Sequence, residues 1–291
     1  MLNRTPMAQY LISPFLAGIL LELFDIKFIF VIDVVTFLFA NATIIWVRKT
    51  MGKIKINRPN QSFITDLNEG IHEFSRHKGV VWLVGTTMVV LFFVGLLQSL
   101  FIPMLLSLTN SKTTGIIQSA CASGMLVGSL LIGLFGSKKD HVKILAGSLF
   151  FAGIFFSFIG ASPNIIYITL AGFLFFGFLP FVNTSIEVLI RKQIDNEKQG
   201  RVWSIISVVT YFGSIIAFVV AGFFADKIFN PLLESNGSLT KSVGSIIGTG
   251  EGRGIGLMFV LSGIIISFIS LLIFRNRFIK NLEKDQTNPS L

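Results

Sequence analysis

The sequence has 291 residues, of which 52% are hydrophobic and 13% are charged, whereas a soluble domain carries about 25% charged residues. Water is therefore not its main solvent. The net charge of +9 could indicate nucleic-acid binding, but Lys and Arg lie in short clusters between apolar runs, so we expect no nucleic-acid partner. Cys121 is the only cysteine, which excludes an intramolecular disulfide framework and a thiolate metal cluster.

The long apolar runs predict membrane-spanning helices. Only helices and closed barrels satisfy their backbone hydrogen bonds in hydrocarbon, and these runs lack the alternation of strands. The sequence therefore predicts an all-α polytopic membrane protein, with the lipid bilayer as a partner. The eight predicted spans are 8–24, 28–47, 82–106, 114–135, 143–160, 164–190, 203–225 and 255–274.

The distribution of basic residues predicts the orientation of these spans. Cytoplasmic connections are enriched in Lys and Arg, and most of the 24 basic residues fall in segments on the side of the N-terminus. We therefore expect both termini to be cytoplasmic. The outward segments hold only Lys27, Lys112, Lys227, Lys241 and Arg253.

Two connections between the spans are long. Residues 48–79 are basic, and apolar residues recur there at the spacing of an amphipathic helix lying on the membrane surface. They are Phe63, Leu67, Ile71 and Phe74. The outward connection 226–254 is rich in Gly, Ser and Asn, so we expect a mobile loop.

Several motifs resemble those of one transporter family. Residues 13–18 (SPFLAG) resemble a GPxxGG helix end, and residues 30–37 (FVIDVVTF) resemble an LIDALSF pattern. The most specific stretch runs from GRV at 200–202 to PLL at 231–233 and resembles a GRV…AGPLAD…PLL pattern. In order and spacing these segments are similar to the exporter branch of the major facilitator superfamily, which includes macrolide-efflux-like and siderophore-exporter-like proteins. The remaining matches are Gly115–Ala120, Gly124, Gly128, Ala221, Gly222, Ala225, Asp226, Phe229, Pro231 and Gly254–Phe259 with Gly263.

The resemblance implies a domain plan. Family members have twelve spans, and the eight predicted here correspond to helices five to twelve. Residues 1–47 would be the last two helices of the N-terminal half and 48–79 a basic cytoplasmic linker with an amphipathic helix. Residues 80–276 would form the C-terminal six-helix half and 277–291 a cytoplasmic tail. A missing N-terminal four-helix segment is then an expected partner.

The function implied by the resemblance is secondary efflux at the plasma membrane. A small-molecule substrate, such as a drug or siderophore, would bind between the halves and leave by alternating access, driven by the proton gradient. Ser13 stands where the antiporter signature has glycine, which weakens the inference of antiport. The alternative is a truncated or split membrane subunit without independent transport activity.

Four polar residues are candidates for the transport pathway. An ionisable group inside a span costs about 3 kcal/mol, so Asp33 needs a partner, a proton or a cavity. The other interpretations are a helix-packing hydrogen bond and a carboxylate near the outer interface. Gln98, Gln118 and Asn183 either line a cavity or bond between helices.

Other residues are candidates for gating or packing. Glu187 lies four residues before Arg191, which predicts a helical ion pair or a gate between inner helix ends. Small residues and prolines indicate close packing or kinks. These are Pro14, Gly18, Pro103, Gly124, Gly128 and Pro180.

The sequence argues against an enzyme. Gly52-Lys53 lacks the glycine spacing of a phosphate-binding loop. Ser123 could suggest an intramembrane protease, but the base it needs is missing because His72, His77 and His141 all fall in connections. We expect no cofactor, no catalytic residue and no metal site.

Overall fold

The computed structural model describes residues 26–50, 63–135, 140–194, 198–234 and 237–284. All regular structure in these ranges is helical. The chain divides into two compact units, residues 1–65 and 66–291. The helices are α1 (Ile26–Thr50), α2 (Phe63–Arg76), α3 (Lys78–Leu108), α4 (Ser111–Phe135), α5 (His141–Ala161), α6 (Ile165–Arg191), α7 (Gln199–Phe223), a π-helical turn (Phe224–Phe229), α8 (Asn230–Leu233), α9 (Gly244–Ile247), α10 (Arg253–Arg275) and α11 (Arg277–Lys284).

Six helices of the described chain are long and apolar enough to cross a membrane. They are α3, α4, α5, α6, α10 and the continuous stretch Gln199–Leu233 that begins with α7. Five of them coincide within four residues with predicted spans, and Gln199–Leu233 covers the predicted span 203–225 but extends eight residues beyond its end. The prediction of an all-α polytopic membrane protein is therefore confirmed. The predicted span 8–24 lies outside the described residues.

Helix α1 covers the predicted span 28–47 and contains the apolar stretch Val34–Val47. Its polar side chains bond to its own backbone four residues earlier, as Asn41 does to the Phe37 carbonyl at 2.8 Å and Thr43 to the Phe39 carbonyl at 2.8 Å. Polar groups satisfied in this way are compatible with an apolar environment.

The six long helices of the second unit pack in the series α7, α3, α10, α5, α6 and α4. Because chain neighbours are antiparallel, the unit has two ends. One end, here called the basic end, carries Lys78, Lys143, Arg191, Lys198 and Arg201. The opposite end carries the connections α3–α4 and α5–α6 and the segment 224–252.

Glycines at the helix contacts let neighbouring helices approach closely. A Cβ at Gly124 would clash with the carbonyl oxygen of Phe173, and one at Gly128 with that of Gly177. These contacts join α4 to α6. Helices α3 and α7 meet in the same way, since a Cβ at Gly213 would clash with the carbonyl oxygen of Met88. Close backbone approach of this kind supplies van der Waals packing where lipid gives no hydrophobic driving force.

Serine hydroxyls add hydrogen bonds between α5 and α10. Ser157 donates to the Val260 carbonyl at 2.9 Å, Ser267 to the Phe150 carbonyl at 3.2 Å and Ser270 to the Ala146 carbonyl at 2.5 Å. Bonds of this type contribute about 0.6 kcal/mol each on average in membrane proteins. The α5–α10 pair is thus held by both polar and packing contacts.

The outward connection 226–254 contains more regular structure than the expected mobile loop. The π-helical turn leads into α8, and α9 follows a series of turns. Leu233 and Ile247 from this segment pack with Leu257 of α10 in a small apolar cluster that is separate from the main core. Its apolar residues, which the Gly, Ser and Asn content masked, fold the segment onto the bundle.

Candidate functional site

Three of the predicted pathway residues lie in the six-helix unit. Gln98 on α3 and Asn183 on α6 are exposed, whereas Gln118 on α4 is half-buried. Their depths are measured along each helix, at 1.5 Å per residue, from the end opposite the basic end. Gln118 lies about 10 Å from that end of α4, Gln98 about 15 Å from that end of α3, and Asn183 about 27 Å from that end of α6. They do not form one cluster. They mark successive levels between the two ends of the unit.

The exposure of Gln98 and Asn183 is local. Leu97 and Leu100 beside Gln98 are almost completely buried, as is Val182 beside Asn183. Both amides therefore point away from the core of their own unit. An amide facing hydrocarbon without a hydrogen-bond partner is costly. These two positions therefore call for a polar cavity or another polypeptide next to the unit.

Glu187 and Arg191 form the ion pair that their spacing predicts. Nη2 of Arg191 donates to Oε1 of Glu187 within α6, and both side chains are about half exposed. An exposed pair at this spacing contributes about 0.3–0.5 kcal/mol. The pair lies at the basic end and, among the residues that the structure describes, joins no second helix.

The prolines and glycines predicted to kink or pack helices fall into three groups: prolines within helices, glycines at a helix contact, and residues outside the described structure. Pro180 is buried within α6, and Pro103 is exposed within α3. Gly124 and Gly128 lie against the α6 backbone as described above. Pro14, Gly18 and the side chain of Asp33 lie outside what the structure describes, although the backbone at position 33 is helical.

A contact at the basic end was not visible in the sequence. Helix α2 lies against the beginning of α7, where Oε2 of Glu69 accepts a hydrogen bond from Nη1 of Arg201 at 2.5 Å. Oε2 of Glu73 accepts one from Nζ of Lys198 at 3.0 Å. Phe74 packs against the core. The sequence contains only part of the signal. The i, i+4 spacing of Glu69 and Glu73 puts both carboxylates on one face of α2 but does not indicate their partners.

Glu73 is the acidic centre of this contact. Its carboxylate lies 3.8 Å from Nη1 of Arg76 and 3.5 Å from Nε2 of His77, and its side chain is 13% exposed. The hydrogen bond from Lys198 lowers the pKa of the Glu73 carboxyl below its ordinary value, helped by the charges of Lys198 and Arg76 against an opposing effect of burial. Glu73 is therefore ionised at neutral pH.

Arg253, at the start of α10, is the most deeply buried basic residue that the structure describes. It is 2% exposed, and its Nη2 donates to the carbonyl oxygens of Gly160 and Ile247. Gly160 is the second-to-last residue of α5, and Ile247 is the last residue of α9. Carbonyl groups in the last turn of a helix have no hydrogen-bond donor within the helix, and the guanidinium supplies one to each of these two. The only signal for this contact in the sequence is a lone Arg at the start of an apolar run.

Comparison with known proteins gives one consistent result. The chain is 26% identical over 230 residues to macrolide efflux protein A of Streptococcus pyogenes, a match that covers 76% of this chain and 55% of that protein. It is 26% identical over 202 residues to macrolide efflux protein A of Enterococcus faecalis, covering 68% of this chain and 62% of that protein. The chain is similar to macrolide efflux proteins.

Both relatives are named as efflux proteins, which are transporters and not enzymes. The match covers 55–62% of the length of these relatives. No protein-family profile and no solved structure matches the chain. Among the described residues no three His, Cys, Asp or Glu side chains are grouped in a way that could hold a metal ion.

Proposed function

We propose that this chain supplies transmembrane helices of a secondary transporter of the major facilitator type, which exports a small amphiphilic molecule such as a drug or siderophore. The observation that carries the proposal is the similarity to macrolide efflux proteins over three quarters of the chain. The exposed amides of Gln98 and Asn183 at different depths support it. In this proposal they face the substrate pathway.

The proposed mechanism is alternating access. The glycine contacts between α4 and α6, and between α3 and α7, favour helix pairs that move as rigid bodies, as rocking around a central site requires. Gln98, Gln118 and Asn183 would offer hydrogen bonds to the substrate at successive depths. Asp33 is the proposed carrier of a coupled proton, because an ionisable group in a span is a default candidate for proton transfer.

The proposed location is the plasma membrane, with the basic end in the cytoplasm. Lys78, Lys143, Arg191, Lys198 and Arg201 all lie at that end of the six-helix unit. An excess of Lys and Arg marks cytoplasmic connections in membrane proteins. Both termini would then be cytoplasmic.

The same exposed amides favour a second candidate, a membrane subunit that transports only when paired with another polypeptide. Packing of Gln98 and Asn183 against such a partner would satisfy them as well as a substrate pathway would. The partner in this case would be a four-helix segment corresponding to the first spans of the family.

Export from cells decides between the two candidates. The chain is expressed in drug-susceptible bacteria, alone and together with a four-helix segment from the start of a macrolide efflux relative, and retention of a labelled macrolide is measured with and without a protonophore. Lower retention with the chain alone supports an independent transporter, and loss of the effect with protonophore supports proton coupling. Export only with the added segment supports the subunit. Unchanged retention in every arm, at matched protein abundance, would refute macrolide efflux.

A further inference from the structure

Helix α2 is fastened to the beginning of α7 by two carboxylates that lie one turn apart. Glu69 bonds Arg201 and Glu73 bonds Lys198, across 132 and 125 residues of sequence. Lys198 and Arg201 flank the first turn of α7, on either side of Gln199 and Gly200. Two acidic residues on one helix face thus match two basic residues on another. These four side chains are called the α2 clasp below.

The backbones also come close at this contact. Gly70 lies between the two acidic residues, and a Cβ there would lie 3.4 Å from the Cβ of Arg201 and 2.8 Å from Cδ1 of Ile205. Glycine therefore allows α2 to sit directly on α7. A small side chain at position 70 would have to displace the end of the Ile205 side chain.

Among the side chains of α2 that the structure describes, residues 68–76, most lie outside the clasp and face away from the unit. Phe74 is half-buried and packs against the core, but Asn68, Ile71, His72, Ser75 and Arg76 are all exposed. Side chains of the clasp are themselves partly exposed, with Lys198 at 44% and Glu69 at 46%. Such pairs are weak singly and are screened by salt. Ion pairs of this strength can break without unfolding the bundle.

We propose that α2 is a releasable clasp on α7: ion pairs from Glu69 and Glu73 hold it docked, and it must undock for the basic end to rearrange. The role in rearrangement rests on the proposed transport function, whereas the release itself does not. Helix α7 packs mainly on α3 among the long helices, so a restraint at its first turn acts on the outermost helix of the series. Undocking would free that helix end to tilt.

Hydrogen exchange of the purified chain in lipid nanodiscs tests the release. In the double variant Glu69→Gln and Glu73→Gln, the amides of residues 66–76 should exchange about two- to thirtyfold faster than in the wild type. Raising salt from about 0.05 to 1 M should speed the same amides in the wild type, since the Debye length falls to about 3 Å. The matched control is Lys143→Gln, which neutralises an exposed pair with Asp140 on α5. Its exchange in 66–76 should equal that of the wild type.

A disulfide across the clasp tests whether release is needed. The Cβ separation of 3.4 Å between positions 70 and 201 is close to the usual range of about 3.5–4.5 Å, and Cys121 is buried and should not compete. The double variant Gly70→Cys and Arg201→Cys is oxidised with copper phenanthroline and then reduced, with each single variant as a control. Macrolide export should fall at least about tenfold on oxidation and return on reduction in the double variant only.

The two arms separate failure of the clasp from failure of the proposed function. Unchanged exchange in 66–76 in the Gln variant, or faster exchange spread over α3–α10, overturns the releasable clasp. Equal export by the oxidised and reduced double variant overturns the need for release. If the wild type exports nothing in this assay, either alone or with the added four-helix segment, the proposed function fails, and the exchange arm alone still decides whether α2 is a releasable clasp.

Discussion

The guanidinium of Arg253 donates to the carbonyl oxygen of Gly160 at 2.8 Å across 93 residues of sequence. It thereby joins the start of α10 to the end of α5. The second acceptor, the carbonyl oxygen of Ile247, brings the segment 237–250 into the same contact. One side chain thus ties together two spanning helices and the connection between α7 and α10.

Replacing Arg253 with Ala should destabilise the protein. The change leaves two buried carbonyl groups without a donor and opens a cavity, which together should cost about 2–4 kcal/mol in the free energy of unfolding. The measurement is reversible unfolding in mixed detergent micelles. Lys241→Ala, an exposed residue in the same connection, is the control and should change stability by less than about 0.5 kcal/mol. Equal stability of the two variants would show that Arg253 does not join these segments.

Replacing Gly124 with Ala should weaken the α4–α6 contact, because the new methyl group would overlap the carbonyl oxygen of Phe173. Overpacking against backbone should cost about 1–3 kcal/mol in unfolding free energy. Gly133→Ala on the same helix is the matched control, since nothing lies within 4 Å of a Cβ there. Ala is the better helix former by about 1 kcal/mol, so the control should be neutral or stabilising. The opposite order of the two variants would contradict the packing.

The contribution of Glu73 should depend on pH. Its pKa is lowered in the folded protein, chiefly by the hydrogen bond from Lys198, so folding favours the ionised form. The stabilisation is fully present above the ordinary pKa of 4.5 and is lost as the pH falls below that value. The groups facing the carboxylate are Lys198, Arg76 and His77.

The measurement is the difference in unfolding free energy between wild type and Glu73→Gln from pH 7 to 3.5. It should be at most about 1 kcal/mol near neutrality and should decrease as the pH falls below 4.5 towards the lowered pKa of the folded state. The same series with Glu187→Gln controls for general acid effects, because that exposed carboxylate bonds only within its own helix. A difference that grows as the pH falls would have the wrong sign for the proposed ion pair.

Gln98→Leu and Asn183→Leu should reduce transport without harming stability. Both side chains are exposed on their own unit, so loss of the amide leaves no buried partner unsatisfied within it, and an apolar side chain suits a spanning helix. We expect at least about fivefold slower export from the loss of hydrogen bonds to a substrate. Ile264→Ala, at an exposed apolar position on α10, is the control. Normal export by both Leu variants would remove these residues from the pathway.

The sequence was most informative where the pattern is local. Apolar runs located the six long helices because a span needs about 20 such residues whatever surrounds it. The spacing of Glu187 and Arg191 predicted their ion pair because both lie on one helix face. Even the boundary at 164–165 agrees within a residue, where the side chain of Asn164 accepts from the amide of Ile166 at 2.9 Å and begins α6.

Contacts between distant segments could not be predicted in this way. The pairing of Glu69 with Arg201 depends on where the helices lie, and no periodicity in either segment encodes it. The composition of 226–254 suggested a mobile loop because the few apolar residues that fold it, Leu233 and Ile247, are widely spaced among Gly and Ser. The sequence places Arg253 in an outward segment but does not indicate its burial. In the structure its side chain is buried against the ends of two helices.

The hydroxyl bonds from α5 to α10 also constrain how the protein is made. Ser157 and Ser270 find their partners 103 and 124 residues away. At a synthesis rate of about 5–20 residues per second, α5 waits roughly 5–25 s in the bilayer before α10 has been synthesised. During that interval α5 has no partner along the face where a Cβ at Gly153 would clash with the carbonyl oxygen of Gly263, so the contact between the two helices can form only after α10 has been inserted.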